Sequence, residues 1–172
     1  MTTSDSDKPT SAGRLVVRRL GLPGDLGWVI QAHGEIYADE FGWDSSFETL
    51  VAQIVADYAA DHDEAREAAW IAELDGERVG CVFCVRADDE LAKLRCLLVH
   101  PKCRGLGAGG RLVSTCLDFA RAAGYRRITL WTNDVLSSAR QIYQGQGFEL
   151  TGEERHHSFG NDLVGQNWSR DL

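Results

Sequence analysis

At 172 residues with 44% hydrophobic side chains, the chain suits one compact domain with a full core and leaves little for a second. Its formal charge of −8 disfavours nucleic acid, whose phosphates call for a basic face, and no apolar run approaches the ~20 residues of a membrane span. Five cysteines, an odd number, argue against a disulfide framework.

Met1 to Ser11 is polar and acidic and lacks the basic-then-apolar order of a signal peptide, so residues 1–12 are expected to be a disordered tail of a cytoplasmic protein and 13–172 its one domain. Arg14 to Leu20 alternates as a first strand, Pro23-Gly24-Asp25 supplies a turn and a helix start, and Leu26 to Ala38 follows as a helix. Ser45 or Ser46 caps a second helix over Phe47 to Ala60, in which Phe47, Leu50, Val51, Ile54, Val55 and Tyr58 recur at helical spacing. Beyond the charged linker Asp61 to Glu67, Ala69 to Leu74 and Arg78 to Val85 flank Asp75-Gly76-Glu77, a hairpin signal. Cys81 and Cys84 are three apart in the second of these strands and so face opposite sides, which argues against a metal or redox pair.

Ala92 to Val99 reads as a further strand, stopped by Pro101, and leads into Arg104-Gly105-Leu106-Gly107-Ala108-Gly109-Gly110. A helix follows, with Leu112, Val113, Cys116, Leu117 and Ala120 on one stripe, ending at Gly124. The strand, glycine turn and helix start leave backbone N–H groups unpaired at the positive end of a helix dipole, where a phosphate or pyrophosphate can be held. No Gly-Lys-Ser/Thr follows, which argues against a nucleoside-triphosphate loop, and about a hundred residues precede the turn, whereas a Rossmann fingerprint opens the first βαβ unit. Cys103 borders the turn and reads either as an activated, partly exposed thiol or as a plain loop residue. Arg127 to Trp131 is a buried strand, Leu136 to Gln144 a short helix, and Phe148 to Glu153 and Leu163 to Ser169 are the last two strands.

The spacing Arg104-x-x-Gly107-x-Gly109 resembles the acetyl-CoA-binding motif of the GNAT superfamily of N-acetyltransferases, and Tyr143-Gln144-Gly145-Gln146-Gly147-Phe148, 39 residues on, resembles that family's second landmark. The flanks are similar to the acetyltransferase half of proteins fused to winged-helix regulators of the multiple-antibiotic-resistance type, here without the regulator half. The resemblance implies the GNAT fold, an α/β (α+β) architecture with a mixed six- or seven-stranded sheet and helices on both faces. It also implies direct transfer of an acetyl group from acetyl-CoA to a primary amine of a small molecule, an amino acid or a protein.

By the same resemblance the backbone of Arg104, Gly105, Leu106, Gly107, Ala108 and Gly109 holds the pyrophosphate, and the N–H of Leu98 or Val99 polarises the thioester carbonyl. Tyr143 matches the general acid, whose ordinary pKa near 10 lies above the roughly 8.5 of a thiol; it also reads as a core tyrosine beside Ala139 and Ile142. Asn133 either bonds to the cofactor or caps the next helix, and Leu136 stands where many members carry an asparagine. Some members place a glutamate base on the strand before the loop, but that strand shows Lys93 and Arg95 here, leaving Glu40, Asp89, Glu90, Glu154, His156 and His157 as candidates. Tyr37, Glu40, Phe41, Trp43, His157 and Phe159 are the expected acceptor contacts. His156 and His157 have no third ligand at supporting spacing, so no metal is expected. Mild acidity suits cationic amines through long-range attraction. A homodimer is compatible with the sequence, and a non-catalytic acyl-CoA sensor is the alternative to an enzyme.

Overall fold

Alternating apolar side chains bury the strands of this chain on both faces of a sheet, and two pairs of helices supply the cover. The computed structural model describes residues 13–172, so the expected tail over 1–12 lies outside the described residues. Strand β1 (Leu15–Arg19) is followed by helices α1 (Asp25–Phe41) and α2 (Ser45–Ala60), then strands β2 (Ala68–Leu74), β3 (Glu77–Arg86) and β4 (Leu91–Val99). A 3-10 turn at Pro101–Cys103 leads to α3 (Ala108–Ala122), β5 (Arg127–Asn133), α4 (Ser137–Gly145), β6 (Glu149–Ser158) and β7 (Asn161–Asp171). The seven strands form one mixed sheet in the order β1-β2-β3-β4-β5-β7-β6, antiparallel except where β4 pairs with β5.

Helices α1 and α2 cover one face through Val29, Ile36, Val51 and Val55, which pack on Ile71, Phe83 and Leu98. Helices α3 and α4 cover the other through Leu112, Cys116, Leu117 and Tyr143, against Val82, Cys84, Leu94 and Leu130. Cys81 and Cys84 fall into these two different clusters, as their spacing requires, and both are buried thiols. Cys103 is fully buried, which removes the exposed-thiol reading and leaves the plain one.

Two boundaries differ from expectation for local reasons. The cap of α2 is Asp44, whose carboxylate accepts the Ser46 N–H at 3.0 Å; neither Ser45 nor Ser46 caps it. The last two strands are longer than the sequence suggests and meet in a two-residue turn, Phe159-Gly160, with φ of 57° and 77°. Both residues are left-handed, as a twisted hairpin demands, and Phe159 tolerates it because its ring packs on Trp43 and Phe47 at 4.9 and 5.0 Å.

Candidate active site

The parallel strands β4 and β5 pair only over Leu91–Lys93 and Arg127–Thr129 and then part. A bulge in β4 helps to open the gap: between Cys81↔Leu98 and Phe83↔Arg95 two residues, Cys96 and Leu97, oppose the single Val82, and Cys96 takes φ 52°. Cavities open on either side of this fork. Leu97, Tyr37, Leu136 and Ala139 line both.

The first cavity, about 590 Å³, runs from β4 over the glycine turn to α4. Leu98 and Val99 form its floor, Arg104, Gly105, Gly107, Ala108 and Gly109 its rim, and Ser137 and Ile142 its far wall. Among the described residues the backbone N–H groups of Gly105, Gly107, Ala108, Gly109 and Gly110 meet no protein acceptor. Gly105 and Gly107 have φ of 82° and 79°, and a Cβ on either would project into open space, where a ligand's phosphates would lie. Gly109 serves packing instead, since a Cβ there would stand 2.4 Å from Ile142 Cδ1. Leu106 projects outward and is 55% exposed.

Alternation along β4 separates the two carbonyl-polarising candidates. His100 donates its N–H to Val79 O at 2.7 Å, so Leu98, two residues earlier, also faces β3, opposite Cys81. Val99 and Leu97 consequently turn their N–H groups toward the gap. Leu97 was not among the expected residues, because the bulge that redirects it leaves no mark in the local sequence.

Arg104 reaches back across the first cavity to Glu40, Nη2 to Oε1 at 2.7 Å. Glu40 and Phe41 thus line the cofactor-sized groove and are absent from the second cavity. Tyr37 and Trp43 do line the second, about 370 Å³, together with Phe47, Lys93, Arg95 and Trp131. Phe159 supports this wall from behind through its contact with Trp43.

Tyr143 is buried, packs edge-on to Phe148 at 5.8 Å and lines the second cavity. Burial, with Tyr37 adding to it, pushes its phenol well above the usual tyrosine range, so the hydroxyl stays protonated. Asn133 is buried and lines the same cavity; its Oδ1 accepts from His156 Nε2 at 2.7 Å, and its side chain does not cap α4. That bond puts the proton on Nε2 and leaves His156 Nδ1 to accept from Ser158 Oγ at 2.9 Å. His157, its neighbour on an alternating strand, points the other way and pairs with Asp162 at 2.8 Å.

No carboxylate candidate for the base reaches the second cavity. Asp89 and Glu90 lie before β4 and pair with Arg86 and Arg126, and Glu154 is exposed on β6. His33, which the sequence reading passed over, does line it. Its Nδ1 lies 2.7 Å from Val29 O and must donate to that carbonyl, leaving Nε2 as an acceptor. Burial pushes its pKa down to about 4, so the ring is neutral at physiological pH. Among the described residues no cluster of three or more His, Cys, Asp or Glu side chains is placed to hold a metal. Nor is any helix there long and apolar enough to cross a membrane.

Residues 30–148 match the model of the acetyltransferase (GNAT) family. The chain belongs to this family. Over 119 residues it is 34% identical to N-acetyltransferase 8B of Homo sapiens, a match covering 66% of this chain and 51% of that protein. A 103-residue match, 34% identical, links it to N-acetyltransferase family 8 member 2 of Rattus norvegicus, covering 57% of this chain and 46% of the relative. This GNAT chain therefore spans about half the length of the curated relatives it matches.

Two solved structures share the GNAT fold closely. One is yncA of Salmonella typhimurium, solved with its cofactor acetyl-CoA, at TM-score 0.74 and 18% identity over 92% of this chain and 94% of that one. The other is the ribosomal-protein-alanine N-acetyltransferase of Brucella melitensis, at TM-score 0.73 and 18% identity over 91% and 99%.

Proposed function

We propose that this protein is an acetyl-CoA-dependent N-acetyltransferase acting by direct transfer to a primary amine. The observation that carries the reading is the pair of cavities meeting at the β4–β5 fork, one rimmed by unpaired N–H groups and the other lined by aromatic and polar side chains. A pyrophosphate suits the first, because five N–H groups of the turn have no protein acceptor and no Cβ stands in the way at Gly105 or Gly107.

Acetyl-CoA supplies an activated acetyl thioester at the fork. The N–H groups of Leu97 and Val99 face the gap and polarise its carbonyl; of the two residues expected in this role Val99 keeps it, while Leu98 gives its N–H to β3. Tyr143 donates its proton to the departing sulfur. His33 Nε2 accepts a hydrogen bond from the incoming amine and orients its lone pair, while excess protons leave to solvent. Asn133, held by His156, bonds to the acceptor. We place the protein in a reducing, cytoplasmic setting on the strength of its five unpaired cysteines, and regard a homodimer as compatible with its open sheet edges.

Calorimetric titration with acetyl-CoA tests the reading, repeated with Gly107→Glu, whose carboxylate and left-handed strain fall in the cradle. Micromolar binding to the wild type, lost in the variant, together with thiol release across an amine panel, is expected. Binding without thiol release for any amine would favour an acyl-CoA sensor, and no binding to a folded wild type would remove both.

A further inference from the structure

The strand β4 turns Lys93 and Arg95 onto the α1–α2 side of the sheet, the side to which Trp131 and Asn133 of β5 also point, and all four line the second cavity. Two cations at i and i+2 on one strand face repel each other and are half-buried here. Among the described residues neither makes a salt bridge or a side-chain hydrogen bond, whereas Arg18, Arg78 and Arg104 hold carboxylates and Arg66, Arg111, Arg140 and Arg170 at least a backbone carbonyl. The chain carries 26 acidic residues, yet none lines this cavity. In a protein of net charge −8, two unpartnered cations thus share a chamber that no carboxylate side chain lines.

We infer that the acceptor is an α-amino acid with a large apolar or aromatic side chain, its carboxylate held by Arg95 and Lys93 and its side chain lodged against Trp43, Phe47 and Trp131. The inference rests on the acetyltransferase reading and names the substrate class of that same site. Arg95 offers a planar fork that matches a carboxylate, with Lys93 as a second point charge. Arg95 lies just before the bulge, two residues from Leu97, and Leu97 lines both cavities. A carboxylate on Arg95 therefore leaves the adjacent α-amine near the fork, whereas a long spacer would carry it past.

The same charges account for the missing carboxylate base. Burial, with Arg95 beside it, lowers the pKa of Lys93, the sign of a site that disfavours positive charge. An amine bound there is pushed toward its neutral form, and an α-amine starts at roughly 8 where an alkylamine starts near 10. The ammonium loses its first proton to solvent. The neutral amine then forms a C–N bond as the thioester C–S bond breaks; nitrogen sheds one proton and sulfur gains one through Tyr143.

The test compares thiol release with L-phenylalanine, L-tryptophan, L-leucine and L-methionine against the amide of each, which keeps an α-amine of lowered pKa but lacks the carboxylate. The expected result is a kcat/KM at least tenfold higher for the acid in one or more pairs, a preference that Arg95→Gln collapses toward unity and Arg95→Lys partly keeps. Amides used as well as acids, or a preference that Arg95→Gln leaves unchanged, would overturn the inference while sparing the acetyltransferase reading. Should no amine turn over, calorimetry with N-acetyl-L-phenylalanine and its amide decides the anion site without catalysis. Tighter binding of the acid, weakened tenfold in Arg95→Gln, upholds it; equal or absent binding of both rejects it.

Discussion

His156 Nε2 stands 2.7 Å from Asn133 Oδ1, a bond that ties the outermost strand β6 to the end of β5 across the intervening β7. It fixes which way a buried amide faces in the second cavity, because Asn133 Oδ1 is occupied and its amide nitrogen is left to donate. His156→Ala should therefore loosen Asn133 and raise KM for the acceptor about three- to tenfold, with acetyl-CoA affinity unchanged. Steady-state kinetics on both substrates checks this. A parallel loss of acetyl-CoA affinity would return Asn133 to the cofactor side.

Tyr143→Phe removes one hydroxyl from a buried side chain whose ring packing on Phe148 is retained. If that hydroxyl protonates the leaving sulfur, kcat falls more than tenfold, about 1.4 kcal/mol or more of barrier, while the Kd for acetyl-CoA stays within twofold. Because burial keeps the phenol protonated well above neutrality, the wild type should show no basic-limb loss of kcat from this group below about pH 10. Equal turnover in the two proteins would leave Tyr143 a core residue.

The glycine cradle was legible because all of its chemistry is local: the strand end, the two left-handed glycines and the helix start follow one another between Val99 and Ala108. The second cavity was not, because its walls come from α1, α2, β4 and β5, and only the fold brings His33, Phe47, Arg95 and Trp131 together. In the sequence Lys93 and Arg95 register only as the absence of a glutamate, and His33 as one polar residue on an apolar helix face. The late hairpin escaped for a different reason. Asp75-Gly76 carries the residues a left-handed turn prefers, whereas Phe159-Gly160 is held by tertiary packing of the phenyl ring, so the sequence marks the strand only as far as Glu153 and does not tell His156 from His157.

Glu40→Gln separates two roles for one carboxylate. Glu40 pairs with Arg104 at 2.7 Å on the rim of the first cavity, so its charge opposes an anionic cofactor and holds back the arginine best placed to meet it. The pair is partly exposed at the surface and worth no more than about 1 kcal/mol, which sets the scale. Acetyl-CoA should bind two- to fivefold more tightly to the variant, more so at low salt, with kcat within twofold. A tenfold fall in kcat would instead assign Glu40 to proton transfer.

Stability in acid should hinge on Asp25, the first residue of α1, which is completely buried. Its carboxylate accepts from Arg18 at 2.8 and 2.9 Å, from Arg78 Nε at 2.8 Å, and from the N–H groups of Gly21 and Leu22 at 2.9 and 2.8 Å. Burial alone would raise its pKa, but Arg18, the Gly21 N–H, Arg78 and the Leu22 N–H outweigh it and hold the carboxyl well below the usual carboxylate range. The folded pKa lies under the unfolded value of about 3.9, so the stabilisation is complete above that pH and drains away as pH falls through the folded value. Asp25→Asn keeps the shape but leaves the half-buried Arg78 without a carboxylate and Arg18 with Glu73 alone, an expected loss of about 2–3 kcal/mol at neutral pH. Denaturant unfolding at pH 7 and between about pH 4 and pH 2 measures both parts. The wild type should lose stability steeply over the acid range and the variant less so, the two curves converging; curves that fall in parallel would mean that other carboxylates set the acid limit and that Asp25 is neutralised at little cost.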